Sequence, residues 1–195
     1  MKKVLLVSSD KNELKGFPVE MERCICGVGP IQSAAYTSMY ASLNRPDVIF
    51  SIGSAGSVCG LEKGSVVSFS SIVTPDQNLE SMHISLGKTI GADRATFSTI
   101  YTSDRKSPYT LLSSGTFNKE KRDYHALLHA DAADMEAYGV GMAAKILGIR
   151  FYAIKLITDT LGDKSSVGDI LFSYREGRER VIEKVLSLLQ EEEWQ

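Results

Sequence analysis

Residues 137–159, AYGVGMAAKILGIRFYAIKLITD, carry the pattern that decides the fold. The first twelve are small or apolar apart from Tyr138 and Lys145. They read as a buried helix lying close against a flat neighbour, because Gly139, Gly141, Ala143 and Ala144 have almost no side chain. Gly148 sits where a helix stops, since glycine reaches the left-handed conformation that ends one without steric cost. The run RFYAIKLIT then resumes as an apolar strand and ends at Asp159. A buried helix followed through a glycine by a buried strand is the unit from which layered α/β domains are built.

The same alternation extends outward in both directions. Residues 3–7 (KVLLV) and 23–26 (RCIC) are strand-length apolar runs, and the second ends at Gly27-Val28-Gly29-Pro30. A helix follows over IQSAAYTSMYASL, with Pro30 at its first position, where the missing N–H costs nothing. Residues 47–52 (DVIFSI) read as a buried strand closed by a glycine-rich loop, Gly53-Ser54-Ala55-Gly56-Ser57, and residues 65–73 (SVVSFSSIV) as one further strand. Residues 75–105 mix polar and apolar side chains without a clear period. Beyond Leu111-Leu112 and SSGTFN, residues 119–130 are polar and read as helical. From about Gly168 to Gln190 the spacing of Leu171, Tyr174, Val181, Val185 and Leu188 is helical, and EEEWQ reads as a solvated tail. The expectation is a single domain over residues 1–195, a three-layer α/β/α sandwich around a central mixed β-sheet.

Composition narrows the function. The 195 residues carry a net charge of -2, and no window is dominated by Lys or Arg, which argues against nucleic acid or an anionic membrane as partner. A small-molecule role is favoured. In MKKVLLVSSD only four consecutive apolar residues precede Ser8, too few for a signal-peptide core or a membrane span, so a cytoplasmic protein is expected. Three cysteines without CxxC spacing and three scattered histidines suggest reduced thiols and no metal.

Ligands of open α/β sheets collect at the carboxyl ends of strands. The candidates are therefore residues 9–13, 53–57, 113–118, 135–136 and 158–159. GVGPIQ has two glycines of a dinucleotide fingerprint, but Gln32 takes the third place and no Walker Lys-Ser/Thr follows, so no cofactor is expected. GSAGS reads equally as a tight turn or as a nest of N–H groups that holds an anion or a water. Asp134-Met135-Glu136, ahead of the small-residue helix, offers carboxylates that either cap the helix or act on a ligand. Asp159 at the edge of an apolar strand is either a cap for Thr160 or a carboxyl raised in pKa by burial and fit to donate a proton. Glu13 in DKNELKGF, taken alone, reads as a solvated acid.

In combination these stretches resemble the nucleoside phosphorylase and nucleosidase superfamily, and within it the methylthioadenosine/S-adenosylhomocysteine nucleosidases. The matching segments are CGVGPIQSAAY, RPDVIFSIGSAGSV with LEKGSVV, SSGTF, ADMEAYGVGMAAKILGIRF and AIKLITDTLGD, in the family's order. The resemblance implies that Met135 and Glu136 contact the ribose, with Glu136 accepting from both hydroxyls of the diol. It implies that Asp159, preceded by Thr158 where Ser is usual, protonates N7 of the purine, and that Phe117 stacks on the base beside the backbone of Asn118. Glu13 aligns with the general base, and Ser54 helps hold the water that it activates.

The departures are equally specific. Lys155 stands where the nucleosidases carry an arginine that helps position the water, and lysine lacks the planar fork. The segment between Glu13 and Gly27 is short for the family. Phosphorylases of the superfamily place an arginine two residues before the Gly-Ser of the glycine loop; here that residue is Ser51, and Glu13 would repel phosphate. Hydrolysis of a purine nucleoside, methylthioadenosine or S-adenosylhomocysteine, with release of adenine is therefore expected. The alternatives are a phosphorylase, a futalosine hydrolase, whose relatives tend to carry Asn at the Asp159 position, and a nucleoside-binding protein without turnover. The resemblance also implies a homodimer.

Overall fold

In a computed structural model of the chain, residues 2–91 and 96–193 are described. In chain order the elements are β1 (Val4–Ser8), β2 (Glu22–Ile25), α1 (Pro30–Asn44), β3 (Val48–Ser57), β4 (Val66–Phe69), β5 (Ser71–Val73), β6 (Thr89–Ile90), β7 (Thr96–Phe97), β8 (Ile100–Tyr101), β9 (Thr110–Ser113), α2 (Asp123–Leu127), β10 (Ala132–Asp134), α3 (Ala137–Leu147), β11 (Arg150–Thr160) and α4 (Val167–Glu193).

The sheet is mixed. β1 lies between β2 and β3, parallel to both, and β11 runs parallel to β3 on its other side. β11 pairs antiparallel with β4, while β5 pairs parallel with β9 and antiparallel with β8. β9 is parallel to β10, whose Ala132 and Ala133 turn back to meet Ser57 and Gly56 at the end of β3. Because β4 and β5 are separated only by Ser70, these pairings close a ring: β3, β11, β4, β5, β9, β10 and β3 again. The ends of β3, β10 and β11 are thereby drawn together at one rim.

Alternation along the central strands builds two cores, as expected for strands buried on both faces. Leu5, Val7, Ile49, Phe151, Ala153 and Ile157 face one way, where they meet Ala137, Val140 and Ala144 of α3 and Ala41 of α1. Val4, Leu6, Val48, Phe50, Ile52, Ile154 and Leu156 face the other way, onto Tyr174, Val181, Val185 and Leu188 of α4. Phe50 and Tyr152 stack there with ring centroids 5.0 Å apart and planes 12° from parallel. Each such side chain taken from water contributes roughly 1.5–3 kcal/mol before chain entropy is charged against it. Helices therefore cover both faces of the sheet, giving the three layers expected.

Several boundaries differ from the sequence reading. Gly53–Ser57 does not close β3 but continues it, paired throughout with β11. Residues 65–73 divide at Ser70 because the two halves pair with different strands. Of residues 119–130 only α2 is helical. The acidic residues Glu191–Glu193 belong to α4, while Trp194 and Gln195 of the expected tail lie outside the described residues. The flat neighbour expected for the small-residue helix is in part another helix: a Cβ on Gly139 would lie 2.2 Å from Pro30 O of α1, whereas one on Gly141 would lie 2.9 Å from Phe151 Cε1 on the sheet. Among the described residues no helix is long and apolar enough to cross a membrane.

Candidate active site

At the closed rim lies a cavity of about 510 Å3. Glu13, Ser54, Phe117, Asn118, Met135, Glu136, Thr158 and Asp159 line it, together with Val167, Ile170 and Leu171 from the first turns of α4. A cavity of about 610 Å3 at the opposite end of β11, by Tyr101, Arg105 and Arg150, has no carboxylate among the described residues that line it.

Glu13 is drawn inward by the turn after β1. Its carboxylate accepts from the Ser54 amide at 3.3 Å, from the Ser9 hydroxyl at 3.3 Å and from the Ser8 hydroxyl at short range, and only 6 % of the residue is exposed. A Cβ on Gly53 would sit 3.3 Å from both carboxylate oxygens, so the glycine lets the acid lie against β3. Tyr174 of α4 holds the Glu13 carbonyl through its hydroxyl at 3.3 Å. Burial raises the pKa of this carboxyl, against the opposing effects of the Ser8 hydrogen bond and the Lys155 charge. Glu13 is thus a buried carboxyl, not the solvated acid that its local sequence suggests.

Asp134 and Glu136 divide the two roles open to carboxylates ahead of α3. Asp134 serves the first free amide of α3, its Oδ2 accepting from the Ala137 N–H at 3.1 Å, while Glu136 takes the N-cap position without a side-chain cap bond. Glu136 turns to the cavity, where Oε1 accepts from the Gly29 amide at 3.1 Å. Burial and then the charge of Asp134 push Glu136 up to about 7, with Lys155 and the Gly29 amide pulling the other way.

Asp159 reaches the cavity through an irregularity in β11. Ile157 pairs with Ala55 and Asp159 with Gly56, so Thr158 is the extra residue of a bulge that re-aims the next side chain. The Thr158 hydroxyl donates to Asp159 Oδ1 at 2.9 Å. Asp159 is half-buried, at the edge of the cleft. Gly56 keeps the rim clear, since a Cβ there would lie 2.8 Å from Leu161 Cδ1 and 3.5 Å from Asp159 Oδ2.

On the adjoining wall Phe117 is 46 % exposed, with its ring free to take a planar ligand. Asn118 spends its side chain on the loop: Nδ2 donates to Ser114 Oγ and Thr116 O, both at 3.1 Å, and Oδ1 accepts from the Tyr124 hydroxyl. Its backbone is what remains to meet a ligand, as the resemblance implies.

Lys155 departs from expectation. It is 1 % exposed and lies beneath the cavity instead of in its wall, with Nζ 2.8 Å from Asp134 Oδ2 and 3.2 Å from Ser51 Oγ. Its register on β11, two residues from Ala153 and two from Ile157, turns it into the α3-side core, where Asp134 is the counter-charge. Sequence reasoning missed Asp134 as part of this assembly; the signal was a lysine in an otherwise apolar strand, which demands a buried acid.

The profile of the phosphorylase superfamily matches residues 74–190, more than half of the chain. The chain belongs to this superfamily. Solved structures share its architecture. A methylthioadenosine/S-adenosylhomocysteine nucleosidase from Colwellia psychrerythraea, in complex with adenine, is 16% identical over 93% of each chain, with a TM-score of 0.78. A Helicobacter pylori nucleosidase variant of the same name, with 5'-methylthioadenosine in its active site, is 15% identical over 98% of this chain and 99% of that one, with a TM-score of 0.82. Futalosine hydrolase of Helicobacter pylori is 15% identical over 97% and 98%, with a TM-score of 0.79. At these identities the likeness is one of fold. No curated protein matches the chain. The superfamily fold accounts for the ring of strands; what this member does with it depends on the residues at the rim.

Proposed function

We propose that this superfamily member hydrolyses the N-glycosidic bond of a purine nucleoside, 5'-methylthioadenosine or S-adenosylhomocysteine, and releases adenine. The observation that carries the reading is the composition of the cavity: its lining includes the acids Glu13, Glu136 and Asp159, with Asp10 and Asp134 beside them, and an exposed aromatic ring, and among the described residues no Lys or Arg lines it. Phosphate as nucleophile would need cationic donors at the reaction centre. Lys155, below the cavity, is already committed to Asp134.

In this reading Phe117 stacks on the base and Glu136 accepts from the ribose 2'- and 3'-hydroxyls, a diol that suits a two-oxygen acceptor. The C1'–N9 bond breaks with its electron pair passing to the purine, and Asp159 delivers a proton to N7, so the leaving group departs neutral. Water bonds to C1' and gives its proton to Glu13, whose raised pKa makes it the stronger base. The Ser54 amide and the hydroxyls of Ser8 and Ser9 keep that carboxylate oriented. Exposed apolar side chains near the mouth, Val28, Val167 and Leu171, suit a homodimer whose second copy covers it.

Purified protein is given methylthioadenosine, S-adenosylhomocysteine, futalosine, adenosine and inosine, with and without phosphate. Free adenine and unphosphorylated sugar without a phosphate requirement support the reading. Base release only with phosphate makes the protein a phosphorylase, turnover of futalosine alone makes it a futalosine hydrolase, and no release from any of these nucleosides overturns the assignment.

A further inference from the structure

The side of α4 that meets the turn after β1 carries positive charge without a counter-charge. Leu171, Tyr174, Arg175 and Arg178 stand three or four residues apart, so they share one face of the helix. Together with Lys15 from the turn they line a further cavity of about 580 Å3. It adjoins the candidate active site, since Glu13 and Leu171 belong to both linings, and the Tyr174 hydroxyl holds the Glu13 carbonyl between them. Lys15, Arg175 and Arg178 line only the outer of these two cavities.

The charges there are unbalanced. Among the described residues the one acid in the lining is Glu13, and its carboxylate is already held by Ser8, Ser9 and the Ser54 amide. Glu176 and Glu179 line a neighbouring cleft with the same three cations, yet among the described residues neither pairs with any of them. Arg178 Nε is closed off from solvent and has no hydrogen-bond partner among the described residues. A buried donor on a charged group is costly to leave unpaired, and three like charges around one space repel one another. This occurs in a chain whose net charge is -2. A bound oxyanion relieves both costs, because a guanidinium donates in a planar fork that fits carboxylate and phosphate oxygens, and an ammonium adds a point charge beside it.

We propose that the cavity between the turn after β1 and α4 is an oxyanion site, in which Lys15, Arg175 and Arg178 hold a carboxylate or phosphate group. Two sources present that chemistry. One is a free small anion. The other is the acidic end of a 5' substituent that leaves a nucleoside in the active site across Leu171. The second source rests on the hydrolase reading above, whereas the site itself does not.

The test follows the Arg178 Nε–H signal by proton–nitrogen NMR in the full chain as inorganic phosphate replaces chloride at constant ionic strength. The shift is expected to saturate, and Arg175→Gln and Lys15→Gln to weaken the binding about tenfold each. Arg175 is exposed, so its variant keeps the fold. Arg180→Gln, on the same helix but outside this lining, should bind as the parent does. A second arm compares kcat/KM for S-adenosylhomocysteine, whose tail ends in a carboxylate, with that for methylthioadenosine, whose tail is neutral. If the acid tail is the occupant, Arg175→Gln lowers the ratio of the two about tenfold and phosphate competes with S-adenosylhomocysteine alone. If a free anion is the occupant, the phosphate shift saturates and the ratio does not move. A linear response to phosphate that Arg175→Gln leaves unchanged, with an unmoved ratio, overturns the proposal. In a protein that releases no base the phosphate arm decides alone: saturation weakened by Arg175→Gln sinks the hydrolase reading and leaves the site standing, and a linear response overturns both.

Discussion

The Gly29 amide donates to Glu136 Oε1 at 3.1 Å, joining residues 107 positions apart in sequence. The same junction is tied a second time, where Ser33 Oγ donates to the Glu136 carbonyl at 3.0 Å. The entrance to α1 thus sets the orientation of the carboxylate assigned to the ribose, and the contact between α1 and α3 becomes part of the site.

Gly139→Ala tests that contact. The new Cβ would stand 2.2 Å from Pro30 O and Ser33 Oγ and 2.8 Å from the Ala34 amide, so the helices must separate. We expect a loss of about 1–3 kcal/mol in urea unfolding, together with a higher KM as Gly29 moves off Glu136. Parental stability and KM would show that α1 yields without cost.

Glu136 should make both binding and stability depend on pH. Its folded pKa of about 7 lies above the ordinary carboxylate value, so its contribution to stability is present at low pH and is lost as pH rises through 7. Glu136→Gln removes that loss, and its melting temperature should gain on the parent between pH 5 and pH 8. In the parent, KM for a riboside should rise as pH falls below about 7, and Glu136→Ala should lose the preference for ribosides over 2'-deoxyribosides. A pH-independent difference in melting temperature would remove Glu136 as the titrating group.

Glu13→Gln keeps the shape of the side chain and most of its hydrogen bonds while removing the base. Turnover is expected to fall by roughly 10²- to 10⁴-fold with KM little changed. Asp159→Asn should lose a comparable factor on adenine nucleosides. Rates near the parent's for either variant would reassign the acid concerned.

Tyr174→Phe probes the tie between α4 and the base. Losing the hydroxyl that holds the Glu13 carbonyl at 3.3 Å should cost about 0.5–1.5 kcal/mol in unfolding and lower turnover less than Glu13→Gln does. Unchanged stability and turnover would show that the Ser8, Ser9 and Ser54 contacts suffice.

The layered fold, the glycine stop at Gly148, the apolar strands and most of the rim were legible in the sequence, because burial on both faces writes itself as continuous apolar runs and helix ends write themselves in glycine and proline. Local pattern also placed Glu136 and Asp159 at strand ends. Tertiary structure alone decided that GSAGS is strand instead of loop, since the pairings with β11 and, at Gly56 and Ser57, with β10 make it so. It alone decided that Glu13 is buried, because the Ser54 amide and Tyr174 hydroxyl that draw it in come from 41 and 161 residues away. And it alone put Lys155 under the cavity with Asp134, because the partner of a buried charge is chosen by the packing of three strands and a helix, which no short window of sequence contains.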